Sequence, residues 1–157
     1  MNNRIFVVHG HDKDTLEKLM HTLRKLGLDP VTFTSAKKKG ACTNIEILEE
    51  TLPTVQGFIC LMTPDDEGRK LRRKRKRKKL PLRPRARQNV LIEAGYAILL
   101  KRAMSVIIAL GDVEIPSDFD GINTVRGSKW SDSLARRLAK RLIDMDFEVD
   151  VAPLLES

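Results

Sequence analysis

Apolar residues along this chain fall into short dense runs that alternate with one-sided stripes, and that alternation predicts a fold. Residues 4–8 (Arg-Ile-Phe-Val-Val) form an apolar run rich in β-branched and aromatic side chains, the pattern of a buried strand. After His9-Gly10-His11, Asp12 or Asp14 can cap a helix in which Leu16, Leu19, Met20, Leu23 and Leu26 share one face until Gly27 stops it. A second short strand is predicted over 30–34. A Lys/Gly-rich loop over 35–42 then leads to a helix capped by Thr43 or Asn44, with Ile45, Leu48 and Leu52 turned inward.

Residues 57–63 (Gly-Phe-Ile-Cys-Leu-Met-Thr) read as a third buried strand, closed by Pro64-Asp65-Asp66-Glu67-Gly68. A helix is predicted over 88–102, a fourth strand over 104–110 and a fifth over 122–126. The last helix is capped by Ser131 or Asp132 and carries Leu134, Leu138 and Leu142 on one face. Strands alternating with helices predict an α/β domain with a parallel sheet covered on both faces, and right-handed crossovers favour the five-stranded flavodoxin-like order 2-1-3-4-5. The 157 residues are expected to form a single domain.

Charge changes the picture at one place only. The net charge is +8, yet residues 69–87 hold 13 Lys/Arg and no Asp/Glu, so taking that segment away leaves −5 on the rest. The body is mildly acidic and a single basic arm supplies the whole positive excess, which argues against a fold that presents a broad basic face. Dense like charge cannot bury apolar surface, so residues 69–84 are expected to form a disordered loop. Nucleic acid is a partner this arm could hold through 69–87, although the absence of aromatic side chains there disfavours base recognition. Two cysteines, Cys42 and Cys60, make neither a disulfide framework nor a zinc site, and no metal is expected. No apolar stretch approaches the roughly 20 residues of a membrane span, and a cytoplasmic protein is expected.

In open α/β sheets ligands bind beyond the carboxyl ends of the strands, which selects the loops at 9–12, 35–43, 64–68 and 111–120. No G-x-x-x-x-G-K-[ST] or G-x-G-x-x-G lies in them, excluding a P-loop NTPase and a standard dinucleotide-binding dehydrogenase. His9 and His11 read either as substrate contacts or as residues that close a turn, and Asp65-Asp66 either as ligands of ribose hydroxyls or of a metal, or simply as turn and helix-start formers. Glu93 is more informative, because it interrupts the apolar sequence Val90-Leu91-Ile92-Glu93-Ala94-Gly95 and shares a helix face with Asn89. A carboxylate there is costly unless paired or functional, and its own neighbours leave a structural and a catalytic role equally open.

Four blocks occurring in order resemble one family: Val8-His9-Gly10-His11-Asp12, Thr63-Pro64-Asp65-Asp66-Glu67-Gly68, Arg85-Ala86-Arg87-Gln88-Asn89-Val90-Leu91-Ile92-Glu93-Ala94-Gly95-Tyr96, and Glu114-Ile115-Pro116-Ser117-Asp118. Together they are similar to the TIR-like predicted nucleotide-binding family, which supplies TIR effector domains of the bacterial cyclic-nucleotide antiphage systems CBASS and Pycsar. The family usually has Phe-Glu-Leu-Gly-Tyr where this chain has Ile92-Glu93-Ala94-Gly95-Tyr96, a departure that keeps the carboxylate.

The resemblance implies a flavodoxin-like TIR fold and NAD⁺ glycohydrolase activity, with Glu93 as the catalytic residue and NAD⁺ as substrate, no cofactor being needed. It further implies substrate contacts from Gly10, His11, Asp12, Asp65, Arg87, Asn89 and Asp118. Residues 35–43 correspond to the BB loop that shapes substrate access and TIR–TIR assembly. Self-association and a cyclic-nucleotide-sensing domain or partner outside this chain are implied as well. The alternatives are a non-catalytic TIR scaffold and a nucleic-acid binder working through the basic arm.

Overall fold

A computed structural model describes residues 2–36, 43–71 and 80–155. Five parallel strands, β1 (Arg4–His9), β2 (Asp29–Val31), β3 (Gly57–Met62), β6 (Ser105–Leu110) and β7 (Asn123–Gly127), lie in the order β2-β1-β3-β6-β7. This is the flavodoxin-like order expected. The other two strands, β4 (Asp66–Gly68) and β5 (Arg83–Arg85), pair antiparallel in a separate ribbon.

Strand residues alternate between two cores because successive side chains point to opposite faces. Ile5, Val7, Ile59, Leu61, Val106 and Ile108 meet Leu19 and Leu23 of α1 (Lys13–Lys25) and Leu134, Leu138 and Leu142 of α5 (Asp132–Ile143). Phe6, Val8, Phe58, Cys60, Met62 and Ile107 meet Leu48 of α3 (Asn44–Thr51) and Val90, Ala94 and Ala97 of α4 (Gln88–Lys101). Each large side chain buried this way stabilises the fold by about 1.5–3 kcal/mol relative to exposure. The helices therefore take their places from the apolar stripe each carries.

Helix ends follow from local chemistry. Asp12 caps α1, its Oδ1 accepting from the Thr15 amide at 3.0 Å. At the other end Leu28 N–H bonds the Leu23 carbonyl and Gly27 N–H the Arg24 carbonyl, each at 3.0 Å, with Gly27 at φ +80°. Those two bonds make a Schellman stop, which needs the left-handed residue that glycine supplies without strain. The same pair of bonds recurs after α5, where Phe147 and Asp146 donate to Leu142 and Ile143 and the left-handed position is held by Asp146 at φ 60°.

Two expectations about these elements are corrected. The second strand stops at Val31 rather than running over 30–34, because Ser35 Oγ accepts from the Thr32 amide at 2.9 Å and donates to the Thr32 carbonyl at 3.0 Å. That local bonding turns the chain into one helical turn, α2 (Phe33–Ala36). Ile45 is not inward but 48% exposed, since α3 buries Ile47, Leu48 and Thr51 and leaves Ile45 at the edge of its buried face.

The basic arm is anchored closer to its ends than expected. Arg83 and Pro84, placed in the loop 69–84, belong to β5 and pair with Gly68 and Glu67. Acidic β4 lies against basic β5, and opposite charges across a strand pair are favourable. Arg85 Nε also bonds Glu114 Oε2 at 2.8 Å, while the Glu114 amide donates to the Pro84 carbonyl at 2.9 Å. Residues 72–79 of the arm and 37–42 of the loop after β2 lie outside the described residues. The remaining short helix, α6 (Ala152–Leu155), packs Leu154 into the α1/α5 core.

Candidate active site around Glu93

In a right-handed parallel sheet every connecting helix starts at the carboxyl end of the strands, so the heads of α3 and α4 lie together. Glu93 sits one and a half turns into α4. Its neighbours Val90, Ala94 and Ala97 pack on the sheet and carry it inward with them, leaving it only 7% exposed. The carboxylate is not isolated. Glu93 Oε1 accepts a hydrogen bond from Asn44 Nδ2, on the first turn of α3, at 3.0 Å.

Burial pushes the Glu93 carboxyl above the usual carboxylate range, and the Asn44 bond and the Arg87 guanidinium pull it part of the way back. Arg87 is the exposed residue at the head of α4 and provides no side-chain cap, so unpaired first-turn amides add to the positive potential there. Below, on β3, the buried Cys60 thiol is pushed up by its apolar surroundings and by the charge of Glu93. It therefore stays protonated and is no nucleophile.

A cleft of about 250 Å³ opens over the carboxylate, lined by Thr43, Asn44, Ile45, Asn89, Ile92 and Glu93. Its rim is apolar and exposed, Ile45 at 48% and Ile92 at 61%. Within it one acid stands with two amides, Asn44 and Asn89, and a nearby fixed cation, Arg87. That set can hold hydroxyls by hydrogen bonds and stabilise a positive centre, and among the described residues it offers no second acid to protonate a leaving group.

Among the residues singled out from the sequence, Asn89 and Glu93 share this cleft, with Arg87 in electrostatic reach. A second group gathers at the end of β1. The Asp65 carboxylate packs directly on Gly10, filling the space where any side chain at that position would go, and Asp65 Oδ2 accepts from Thr63 Oγ1 at 2.9 Å. Both Asp12 oxygens are taken by Thr15, at 3.0 Å from its amide and 2.6 Å from its hydroxyl. His11 is exposed in the same loop, and His9 Nδ1 donates to the Gly10 carbonyl at 2.9 Å. Asp118 is exposed in the 3-10 turn Ser117–Phe119. None of Gly10, His11, Asp12, Asp65 and Asp118 lines the Glu93 cleft. Among the described residues no cluster of three or more His, Cys, Asp and Glu could hold a metal ion.

Sequence reasoning did not single out Asn44, Ile45 or Ile92 as lining residues. Thr43-Asn44-Ile45-Glu46 does carry a signal, because Thr followed three positions later by Glu marks a capped helix start, and this one follows a strand at the ligand end of the sheet.

Comparison with known proteins agrees with the architecture. Residues 4–129 match the model of the family described as CAP12/Pycsar effector protein, TIR domain. The chain is 40% identical over 123 residues to the uncharacterized protein YuaY of Escherichia coli strain K12, covering 78% of this chain and 39% of that protein. It is 30% identical over 95 residues to the protein tirC of Dictyostelium discoideum, covering 60% and 46% respectively. It thus spans less than half the length of these curated relatives.

Proposed function

The chain belongs to the CAP12/Pycsar effector TIR-domain family, and on that footing we propose that it is an NAD⁺ glycohydrolase acting as an antiphage effector, with Glu93 as its catalytic residue. The observation that carries the reading is a buried carboxylate held by one oxygen and open to a cleft by the other. Among the described residues Glu93 Oε2 takes no hydrogen bond, yet it is not sealed from the cleft.

The chemistry fits one acid. In NAD⁺ the nicotinamide nitrogen already carries the positive charge, so the C–N bond can break without protonation, its electron pair leaving with neutral nicotinamide. The ribosyl carbon becomes oxocarbenium-like, and water adds to it to give ADP-ribose, releasing a proton to solvent. The Glu93 carboxylate stabilises that cation and accepts hydrogen bonds from the ribose hydroxyls, where preorganised charge has its largest effect. Asn89 lies on the same wall of the cleft to position the ribose, and Arg87 faces the pyrophosphate. In this reading Gly10, His11, Asp12, Asp65 and Asp118 serve the adenosine end or the shape of the neighbouring loops.

A cleft of about 250 Å³ is smaller than the about 300–1,000 Å³ typical of ligand pockets. It suits the nicotinamide–ribose end, and the apolar rim of Ile45 and Ile92 suits coverage by a second copy. Activity is therefore expected to be low in dilute monomer and to rise with self-association. The test is loss of NAD⁺, with nicotinamide release measured at several protein concentrations, for wild type against Glu93→Gln. Concentration-dependent turnover abolished in the variant supports the assignment, and full turnover by the variant removes it.

A further inference from the structure

The hydrogen bond between Asn44 and Glu93 joins neighbouring helices 49 positions apart in the chain. Its donor side is unusually well fixed. Thr43 Oγ1 accepts from the Glu46 amide at 3.2 Å, while Glu46 Oε2 accepts from the Thr43 amide at 2.6 Å and the Thr43 hydroxyl at 3.0 Å. This reciprocal capping box locks the turn on which Asn44 stands as the first helical residue. Asn44 carries no charge of its own, and its amide reaches one carboxylate oxygen while leaving the other to the cleft.

From this geometry, and resting on the function proposed above, we infer that Asn44 is the positioning residue for Glu93 and that the capped first turn of α3 is the clamp that holds the carboxylate in its working orientation. A free glutamate in a half-open cleft samples several rotamers, and fixing one oxygen leaves the other aimed at a single point. The bond also favours the ionised acid, the form the reaction needs. Among the described residues, the other groups that act electrostatically on Glu93 are the Arg87 guanidinium, which favours ionisation too, and the Cys60 thiol of β3, which stays neutral. A second link between the same two helices, Tyr96 Oη donating to Glu49 Oε1 at 3.2 Å, does not touch Glu93 and serves as an internal control.

The test follows the Glu93 carboxyl directly, by carbon NMR of protein labelled at glutamate side-chain carboxyls, with Glu93→Gln identifying its resonance. In Asn44→Ala the Glu93 titration midpoint should move upward, and kcat for NAD⁺ hydrolysis should fall about tenfold or more with little change in KM, the loss expected from one hydrogen bond to a charged group. Asn44→Asp should move the midpoint further up, because a second carboxylate then faces the first. Thr43→Ala should move it in the same direction by less, and Thr43→Ser should restore it. Glu49→Ala should leave it in place.

An unchanged midpoint and kcat in a natively folded Asn44→Ala protein overturns the inference. So does an equal shift in Glu49→Ala, which would trace the effect to helix packing. Should the midpoint move as described while wild-type protein consumes no NAD⁺, the clamp stands and the proposed activity falls. Glu93-dependent NAD⁺ loss that is indifferent to Asn44 gives the reverse result.

Discussion

Asn44 donates to Glu93 across the heads of two helices at 3.0 Å, and this one bond ties the loop side of the sheet to the acid beneath the cleft. Burial alone would favour the neutral acid at Glu93. Asn44 and Arg87 together offset part of that effect, so the site is a balance of desolvation against two partners. Such a balance at a cleft is what the role proposed for Glu93 draws on, since catalytic acids and bases are found where burial is set against specific partners.

The balance has a consequence for stability. A carboxyl raised in the folded state binds its proton more tightly there than in the unfolded chain, so its contribution is favourable at low pH and is lost as pH rises through the folded value. Ionised Glu93 therefore destabilises the neutral-pH protein. Glu93→Gln, which keeps the acceptor for Asn44, should raise the melting temperature at pH 7 by about 2–4 °C, the shift that on the order of 1 kcal/mol produces in a domain of this size. The gap should close as pH falls through the carboxylate range. Thermal melts of both proteins from pH 4 to 8 check this, and a lower melting temperature for the variant at pH 7 would contradict it.

The same sign governs turnover. If hydrolysis needs the ionised acid, kcat/KM should fall on the acid side with a midpoint above the ordinary glutamate range, because that ratio follows the ionisation of Glu93 in the free protein. A pH profile of kcat/KM checks it. An acid limb lying at or below the ordinary carboxylate value would separate the activity from Glu93.

The basic arm should be separable from the fold. β4 and β5 pair directly beside it, so replacing residues 69–82, which carry ten Lys/Arg, with a two-residue Asn-Gly turn preserves the ribbon. Far-UV circular dichroism should be retained, while salt-sensitive binding to DNA or heparin should vanish with the charge. Binding that persists in the replaced protein would place the polyanion surface elsewhere.

Asp146 holds a left-handed position that costs a non-glycine residue about 1 kcal/mol. Asp146→Gly should therefore stabilise the protein by roughly 0.5–1 kcal/mol, because it relieves that strain at the stop of α5. Chemical denaturation of the two proteins checks the sign. Destabilisation would mean that the Asp146 side chain contributes more than its backbone strain removes.

The five-stranded parallel sheet and its two covering layers were legible because period-two and helical patterns are dense in this chain. Phe6, Val8, Phe58 and Cys60 on one face and Ile5, Val7, Ile59 and Leu61 on the other sit as their alternation requires. The end of β2 was not legible, since a single serine hydroxyl at Ser35 redirects the chain there. Nor was the β4–β5 ribbon, whose three-residue strands are defined by pairing between 66–68 and 83–85 rather than by any run of apolar residues. Glu93 stood out because a carboxylate interrupts an apolar helix. Asn44 did not, because only the packing of α3 on α4 brings an ordinary helix-start residue to it.

The most direct measurement follows NAD⁺ and free nicotinamide in parallel for wild type and Glu93→Gln, at protein concentrations spanning monomer to assembly. Nicotinamide should appear in step with NAD⁺ loss for wild type, rise more steeply than linearly with protein concentration, and be absent for Glu93→Gln. Equal nicotinamide release by the two proteins would contradict the assignment of catalysis to Glu93, and release by neither at any concentration would contradict the proposed activity.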